Sequence, residues 1–118
     1  MADCLFCKMV SGEIKPDVVL ENDDILAFRD LNPQAATHVL VIPKRHISSI
    51  DDLAPGDAEL VGKLYLGAKQ VAEQAGIHGP ERGYRTVMNC SADAGQTVFH
   101  LHLHLLGGRP MGWPPWPG

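Results

Sequence analysis

Apolar residues recur along this chain at two periods, and the change from one period to the other marks out its elements. Between Asp57 and Ala75 the positions Val61, Leu64, Tyr65, Ala68, Val71, Ala72 and Ala75 share one helical face, and Gly76 stands where a helix would end. Val18–Glu21 and Ile25–Arg29 are short strand-like runs joined by the polar turn Asn22-Asp23-Asp24, which predicts a hairpin. Thr37–Pro43 is a β-branched run closed by proline and reads as a buried strand. Tyr84–Asn89 predicts another strand, and residues 4–11 can make one or two turns of helix. The last run, residues 96–106, alternates strictly: as a strand it puts His100, His102 and His104 on one face and Leu101, Leu103 and Leu105 on the other. Strands outnumber helices and the connections are short. The expected class is therefore α+β, a mostly antiparallel sheet with one long helix on a face and a short N-terminal helix.

Composition narrows the possibilities. A chain of 118 residues with 45 % hydrophobic content supplies one domain and one core, and no repeat, low-complexity tract or linker divides it. A net charge of −4 without any Lys/Arg block argues against nucleic acid or an anionic membrane as partner, so phosphate contacts are expected to be few and local. No apolar leader segment follows Met1 and no 18-residue apolar span occurs, which predicts a cytoplasmic protein with no membrane partner. The three cysteines are an odd number and argue against a disulfide framework. Cys4-x-x-Cys7 is a metal or redox candidate in a reducing compartment.

The histidine row admits three readings from its residues. Each imidazole can be an ordinary hydrogen-bonded, part-buried side chain. His-x-His can chelate zinc, although a tetrahedral site rarely takes three ligands from one straight strand about 13 Å long. Or a neutral imidazole acts as nucleophile toward phosphorus while its neighbours orient it, protonate a leaving group and hold phosphoryl oxygens. The segment Asn89–Thr97 leads straight into the row. Its small and amide-bearing residues can offer backbone N–H groups, an amide and a hydroxyl to an anion without adding charge. Together the two features read as a phosphate site for a nucleotide-sized substrate.

At this point the chain resembles a known family. Gln96-Thr97-Val98-Phe99-His100-Leu101-His102-Leu103-His104-Leu105-Leu106 is similar to the histidine triad motif, and further matches follow in order. They are Asp30-Leu31-Asn32-Pro33-Gln34-Ala35, Thr37-His38, Val41-Ile42-Pro43-Lys44-Arg45-His46, Gly107-Gly108-Arg109 and Trp113-Pro114-Pro115. The last points to the Hint branch of the histidine triad (HIT) superfamily, the histidine triad nucleotide-binding proteins. The resemblance implies a single HIT domain over residues 1–118, its sheet continued across a two-fold axis into a homodimer, with the tail 109–118, Trp113 included, near the partner's active site. Such a homodimer would cover an exposed strand edge.

The implied activity is hydrolysis of purine nucleoside 5′-phosphoramidates, and of acyl or mixed-anhydride nucleotides, through a nucleotidyl-histidine. His102 matches the nucleophile, His100 and His104 the flanking triad members, and His38 a histidine that orients the nucleophile. Asn89, Gly95, Gln96 and Thr97 match phosphate-contacting positions. Asp30 matches a ribose-binding carboxylate, and Phe6, Met9, Ile14, Phe28 and Leu31 an apolar purine pocket. No cofactor is required for catalysis in this scheme. Other branches bind structural zinc at positions matching Cys4, Cys7, His46 and His100, which implies a possible Cys₂His₂ site. Ser91 and Ala94 stand where many Hint proteins have glycine, so the phosphate loop is expected to follow a different path. Two alternatives are a dinucleoside polyphosphate hydrolase, disfavoured by the Trp113-Pro114-Pro115 tail, and a nucleotide-binding scaffold with incidental hydrolysis. His78 is expected to be a solvated surface residue.

Overall fold

The computed structural model describes residues 4–115, so the Trp116-Pro117-Gly118 extension lies outside the described residues. Helix α1 (Leu5–Ser11) starts where the Cys4 sulfur accepts the Cys7 backbone N–H and stops at left-handed Gly12, whose N–H reaches Met9 O. Strands β1 (Val18–Glu21) and β2 (Ile25–Arg29) form the expected hairpin. Its turn is fixed by Asn22 Oδ1, which accepts from the N–H groups of Asp24 and Ile25 at 2.9 and 3.0 Å. Strand β3 is Thr37–Pro43, and two 3₁₀ turns, Ile50–Asp52 and Pro55–Asp57, precede the long helix α2 (Ala58–Ala75). Strand β4 (Tyr84–Val87), the four-residue helix α3 (Ser91–Ala94) and strand β5 (Leu103–Gly107) complete the chain.

The five strands form one fully antiparallel sheet in the order β1-β2-β3-β5-β4. Both faces of its centre are covered, which is why β2 and β3 read as continuous apolar runs. On one face Ile25, Ala27, Val39, Val41, Leu103 and Leu105 pack with Leu64, Ala68, Val71 and Ala72 of α2. Gly67 permits this close approach, because a Cβ there would collide with the Ile25 side chain. On the other face Leu26, Phe28, Leu40 and Ile42 pack under Phe6 of α1. The histidines lie on this second side, opposite the leucines that fill the main core.

Three expectations need correction. The histidine run is not one straight strand from 96 to 106: ladder pairing begins at Leu103, and residues 97–102 are irregular. The peptide joining His100 to Leu101 is the reason, since its N–H bonds Ile47 O at 2.6 Å and its carbonyl bonds the His102 ring at 2.8 Å, leaving neither for a strand neighbour. The small-residue loop also contains α3, and Tyr84–Asn89 pairs only as far as Val87. In α3, Ser91 takes φ +67°, the left-handed region its missing glycine would have favoured. His78 is exposed, as expected.

Gly108 turns the chain out of β5 at φ +108°, and a Cβ there would lie 2.7 Å from Ala36 Cβ, which cannot rotate away. Gly108→Ala should therefore destabilise the fold by about 1–3 kcal/mol. Urea unfolding measures this, and an unchanged midpoint would contradict it.

Candidate active site

Four imidazoles converge, and their hydrogen bonds determine which nitrogens carry protons. The backbone N–H of Gln34 donates to His38 Nδ1 at 3.0 Å, so that nitrogen is an acceptor and neutral His38 bears its proton on Nε2. This Nε2 lies 2.9 Å from His104 Nδ1, which must accept; the proton of neutral His104 is then on Nε2. His104 Nε2 is buried and has no hydrogen-bond partner among the described residues. A buried N–H of this kind normally finds an acceptor. His38 and His104 meet because they are diagonal neighbours across the β3–β5 ladder, where His38 opposes Leu106 and Leu40 opposes His104.

His102 is 8 % exposed, and its Nδ1 lies 2.8 Å from the His100 carbonyl. A carbonyl only accepts, so Nδ1 carries the proton and Nε2 of the neutral ring keeps its lone pair. The His102 and His104 rings are 5.0 Å apart between centroids. The site thus sets an imidazole with a lone pair beside one with an unused N–H. Burial pushes the pKa of His104 down to about 4, with His102 and His38 acting in the same direction. Burial also lowers His38, against the pull of Asp30, and lowers His100, against its hydrogen bond to a carbonyl. One carboxylate oxygen of Asp30 lies 3.4 Å from His38 Nε2, and the other accepts the Asn32 N–H at 2.8 Å.

His100 faces away from this pair. Its Nε2 donates to Pro43 O at 2.8 Å, which leaves the Nδ1 lone pair directed at Cys4 Sγ, 3.3 Å away, and Cys7 Sγ, 3.5 Å away. His46 Nδ1 is 3.3 Å from the same Cys7 sulfur. The loop bearing His46 is tied to the start of α2 by Arg45 and Asp57, and Asp57 is held below the usual carboxylate range by the Ala54 N–H and by that guanidinium. The ligand atoms of Cys4, Cys7, His46 and His100 all lie within 4.8 Å of one another, and two sulfurs with two imidazole nitrogens suit tetrahedral zinc. Burial, then the neighbouring Cys4 thiol, pushes the Cys7 thiol up. A second cluster, Asp30, His38 and His104, is equally tight. There the Gln34 hydrogen bond places a proton between the two rings, so the group is a hydrogen-bond relay.

The expected nucleotide-binding residues divide. Gln96 is buried with its amide fully committed: Oε1 accepts the Ser91 N–H at 2.8 Å, and Nε2 donates to Ser48 O and Val98 O at 2.9 and 3.1 Å. It holds α3 in place. Gly95 and Thr97 beside it are exposed and Asn89 is half-buried. Phe6 and Phe28 are buried in the smaller core, with Phe6 edge-on to Phe28, His100 and His102 at 5.4, 5.8 and 5.2 Å, and Met9 packs against that core. Ile14 is exposed, and Leu31 is 94 % exposed. Trp113, 81 % exposed, lies 5.8 Å from the Arg85 guanidinium, and Arg85 also donates to Gly112 O at 2.9 Å, which ties the tail to β4. The sequence reading missed the carbonyls of Pro43 and Ile47 and the N–H of Gln34. All three are backbone groups, which residue type does not advertise.

Known proteins share the fold and much of the sequence of this chain. The HIT domain profile matches residues 11–111. The purine nucleoside phosphoramidase of Escherichia coli (strain K12) is 43 % identical over 110 residues, 93 % of this chain and 91 % of that protein. The crystal structure of a HIT family hydrolase from Legionella pneumophila superposes with a TM-score of 0.92 at 52 % identity, covering 97 % of this chain and all of that one. A zinc-bound histidine triad family protein from Mycobacterium smegmatis superposes with a TM-score of 0.79 at 33 % identity, over 92 % of this chain and 76 % of that one.

The low pKa of His104 has a consequence for stability. Below the ordinary value of 6.5 the unfolded chain binds this proton and the folded one does not until about 4. Stability should therefore fall as pH drops through that window, by up to about 3 kcal/mol from this one group. Chemical denaturation at stepped pH measures the slope. His104→Gln should flatten it, and equal slopes in the two proteins would refute the assignment.

Proposed function

Because the chain belongs to the HIT family of hydrolases, we propose that it hydrolyses purine nucleoside 5′-phosphoramidates, and related acyl or mixed-anhydride nucleotides, with His102 as nucleophile. The observation that carries this reading is the pairing of protonation states: a free lone pair on His102 Nε2 beside an unpartnered Nε2–H on His104. His102 Nε2 bonds to the α-phosphorus as the phosphorus–nitrogen bond breaks, and the amine leaves with a proton from water. Positive charge then gathers on the His102 ring, where the His100 carbonyl stabilises it through Nδ1–H. His104 hydrogen-bonds a phosphoryl oxygen or the departing group through its Nε2–H without giving up the proton, and His38, backed by Asp30, keeps that N–H pointing outward from the relay. Water attacks the nucleotidyl-imidazole, releasing the mononucleotide and returning neutral His102.

In the same reading Asn89, Gly95 and Thr97 contact phosphate, and Gln96 supports them by fixing α3. Asp30 serves the ribose hydroxyls, and Phe6, Met9, Ile14, Phe28 and Leu31 border the base. Cys4, Cys7, His46 and His100 would hold a structural zinc ion, whose contribution is to cross-link α1, the loop after β3 and the triad. Strand β4 stands at a sheet edge, suited to continuation into a second copy of the chain, with Trp113 directed toward the partner's site. The purine nucleoside phosphoramidase at 43 % identity supports the substrate class.

His102→Ala should lower kcat on adenosine 5′-phosphoramidate more than about 10³-fold while retaining nucleotide affinity. Brief incubation of the unaltered protein with an activated purine nucleotide should leave the nucleotidyl mass on the peptide bearing His102. Turnover surviving in the variant would remove His102 from the mechanism. Metal analysis should find zinc in the purified protein and lose it in Cys4→Ser; absence of zinc from the folded protein would defeat the four-ligand assignment.

A further inference from the structure

We propose that the open end of the β4–β5 ladder is a second anion site, built from Arg82, Arg85 and Arg109 and suited to the dianion of a phosphate monoester that carries an apolar group. No histidine lines it, and it stands independently of the reaction assigned to His102.

The distribution of ion pairs points to this place. The chain has ten Lys and Arg residues, an excess of carboxylates and a net charge of −4. Lys8, Arg29, Lys44, Arg45, Lys63 and Lys69 each lie within 4.0 Å of a carboxylate oxygen. Among the described residues Lys15, Arg82, Arg85 and Arg109 have no such partner, and the three arginines line a single cavity of about 580 Å³. Register explains why they meet. Tyr84 opposes Gly107 as the end pair of the ladder. Beyond it Gly83 and Gly108 take φ +149° and +108°, which glycine adopts without strain, and turn both chains out of the sheet. Arg82 and Arg109 follow, one on either side. Arg85 opposes Leu106 within the ladder, and its Nη2 donates to Gly112 O at 2.9 Å, which leaves its other guanidinium N–H groups uncommitted among the described residues.

Guanidinium groups gathered in this way repel one another, and a bound anion removes that cost. Glu81 is the one carboxylate in the lining, and none of the three arginines is within ion-pair distance of it. Three guanidinium groups against one carboxylate leave the lining at +2. A phosphate monoester carries about −1.5 to −2 at neutral pH, so the charges match. Planar guanidinium forks also fit phosphoryl oxygens two at a time, which a point charge does not. The rest of the wall is apolar in part: Tyr84, 39 % exposed, and Met111 offer a ring and a thioether to whatever the phosphate is attached to. The cavity is of the size that small organic ligands occupy.

The test titrates the ¹⁵N-labelled full chain with phenyl phosphate, phenyl sulfate and inorganic phosphate, and follows backbone amide shifts. Phenyl phosphate should move the amides of residues 81–85 and 108–112 along a saturable curve. Phenyl sulfate, with the same shape and one charge fewer, should bind there about tenfold more weakly. Inorganic phosphate should move the same amides only at higher concentration. Arg82→Gln/Arg109→Gln should abolish the response of this set and leave any response of residues 89–97 unchanged. Both arginines are exposed, so the fold should survive their loss; should the double variant fail to fold, either single substitution decides by a loss of about tenfold. Amides 81–85 and 108–112 that stay unmoved, or that still respond in the double variant, overturn the proposal. Strand β4 is also the edge offered to a second copy, so the protein is titrated in the assembly it forms, and a cavity closed by that assembly gives the unmoved result. Phenyl sulfate binding as tightly as phenyl phosphate overturns the dianion assignment, and inorganic phosphate doing so overturns the monoester.

Discussion

Imidazoles removed from water find partners wherever neighbours can supply them, and this tendency organises the molecule around its histidines. The sheet is covered on both faces, so the four central histidines have little solvent to turn to. Six of their eight ring nitrogens are met by backbone groups, by thiols or by one another. Gln34 donates to His38, His38 to His104, His102 to the His100 carbonyl and His100 to the Pro43 carbonyl. Each bond fixes a tautomer, and that of His38 dictates that of His104. The sequence of donors and acceptors terminates at a lone pair on His102 and an unmatched N–H on His104. Burial supplies the constraint, and chemical asymmetry between otherwise identical side chains is the result.

The backbone accommodates this by giving up regularity where it is needed. A strand continued through residues 97–102 would have turned the His100 carbonyl toward a neighbouring strand. Instead that carbonyl meets a ring two residues on, while Leu101 N–H crosses to the loop after β3. The main core is little disturbed, because Leu101, Leu103 and Leu105 are all buried in it, on either side of the change. The same loop brings His46 to the thiols of α1, and Gln96 clamps α3 to it through Ser48. Three separate segments are held against the histidine run by a few identifiable contacts each.

Much of this was legible from the residues. The hairpin, β3, α2 and the α+β class follow from periodicity and turn chemistry, and α2 begins one residue from the expected place. The alternation of histidine and leucine correctly put the leucines in the main core and the histidines on the other side. It also suggested a longer strand than exists, because periodicity reports which way side chains point and says little about where carbonyls bond. Cys4-x-x-Cys7 and His46 carried a metal signal that the geometry brings together with His100. The tautomers of the histidines were not legible, since they depend on backbone donors and acceptors contributed by Gln34, Pro43 and His100. Phe6 and Phe28 show a related ambiguity: an apolar residue bordering a site and one buried in a core look alike in sequence.

The link from Gln34 to His38 has a further implication for how such a site tolerates genetic drift. The donor is the amide of the main chain, and nineteen of the twenty amino acids provide it equally. Position 34 can therefore wander in charge, size and polarity while the proton on the next ring stays where it is. Proline is the exception, since it alone arrives without that hydrogen. A feature of the candidate site is in this way written into the shape of a turn, beyond the reach of most single-codon changes.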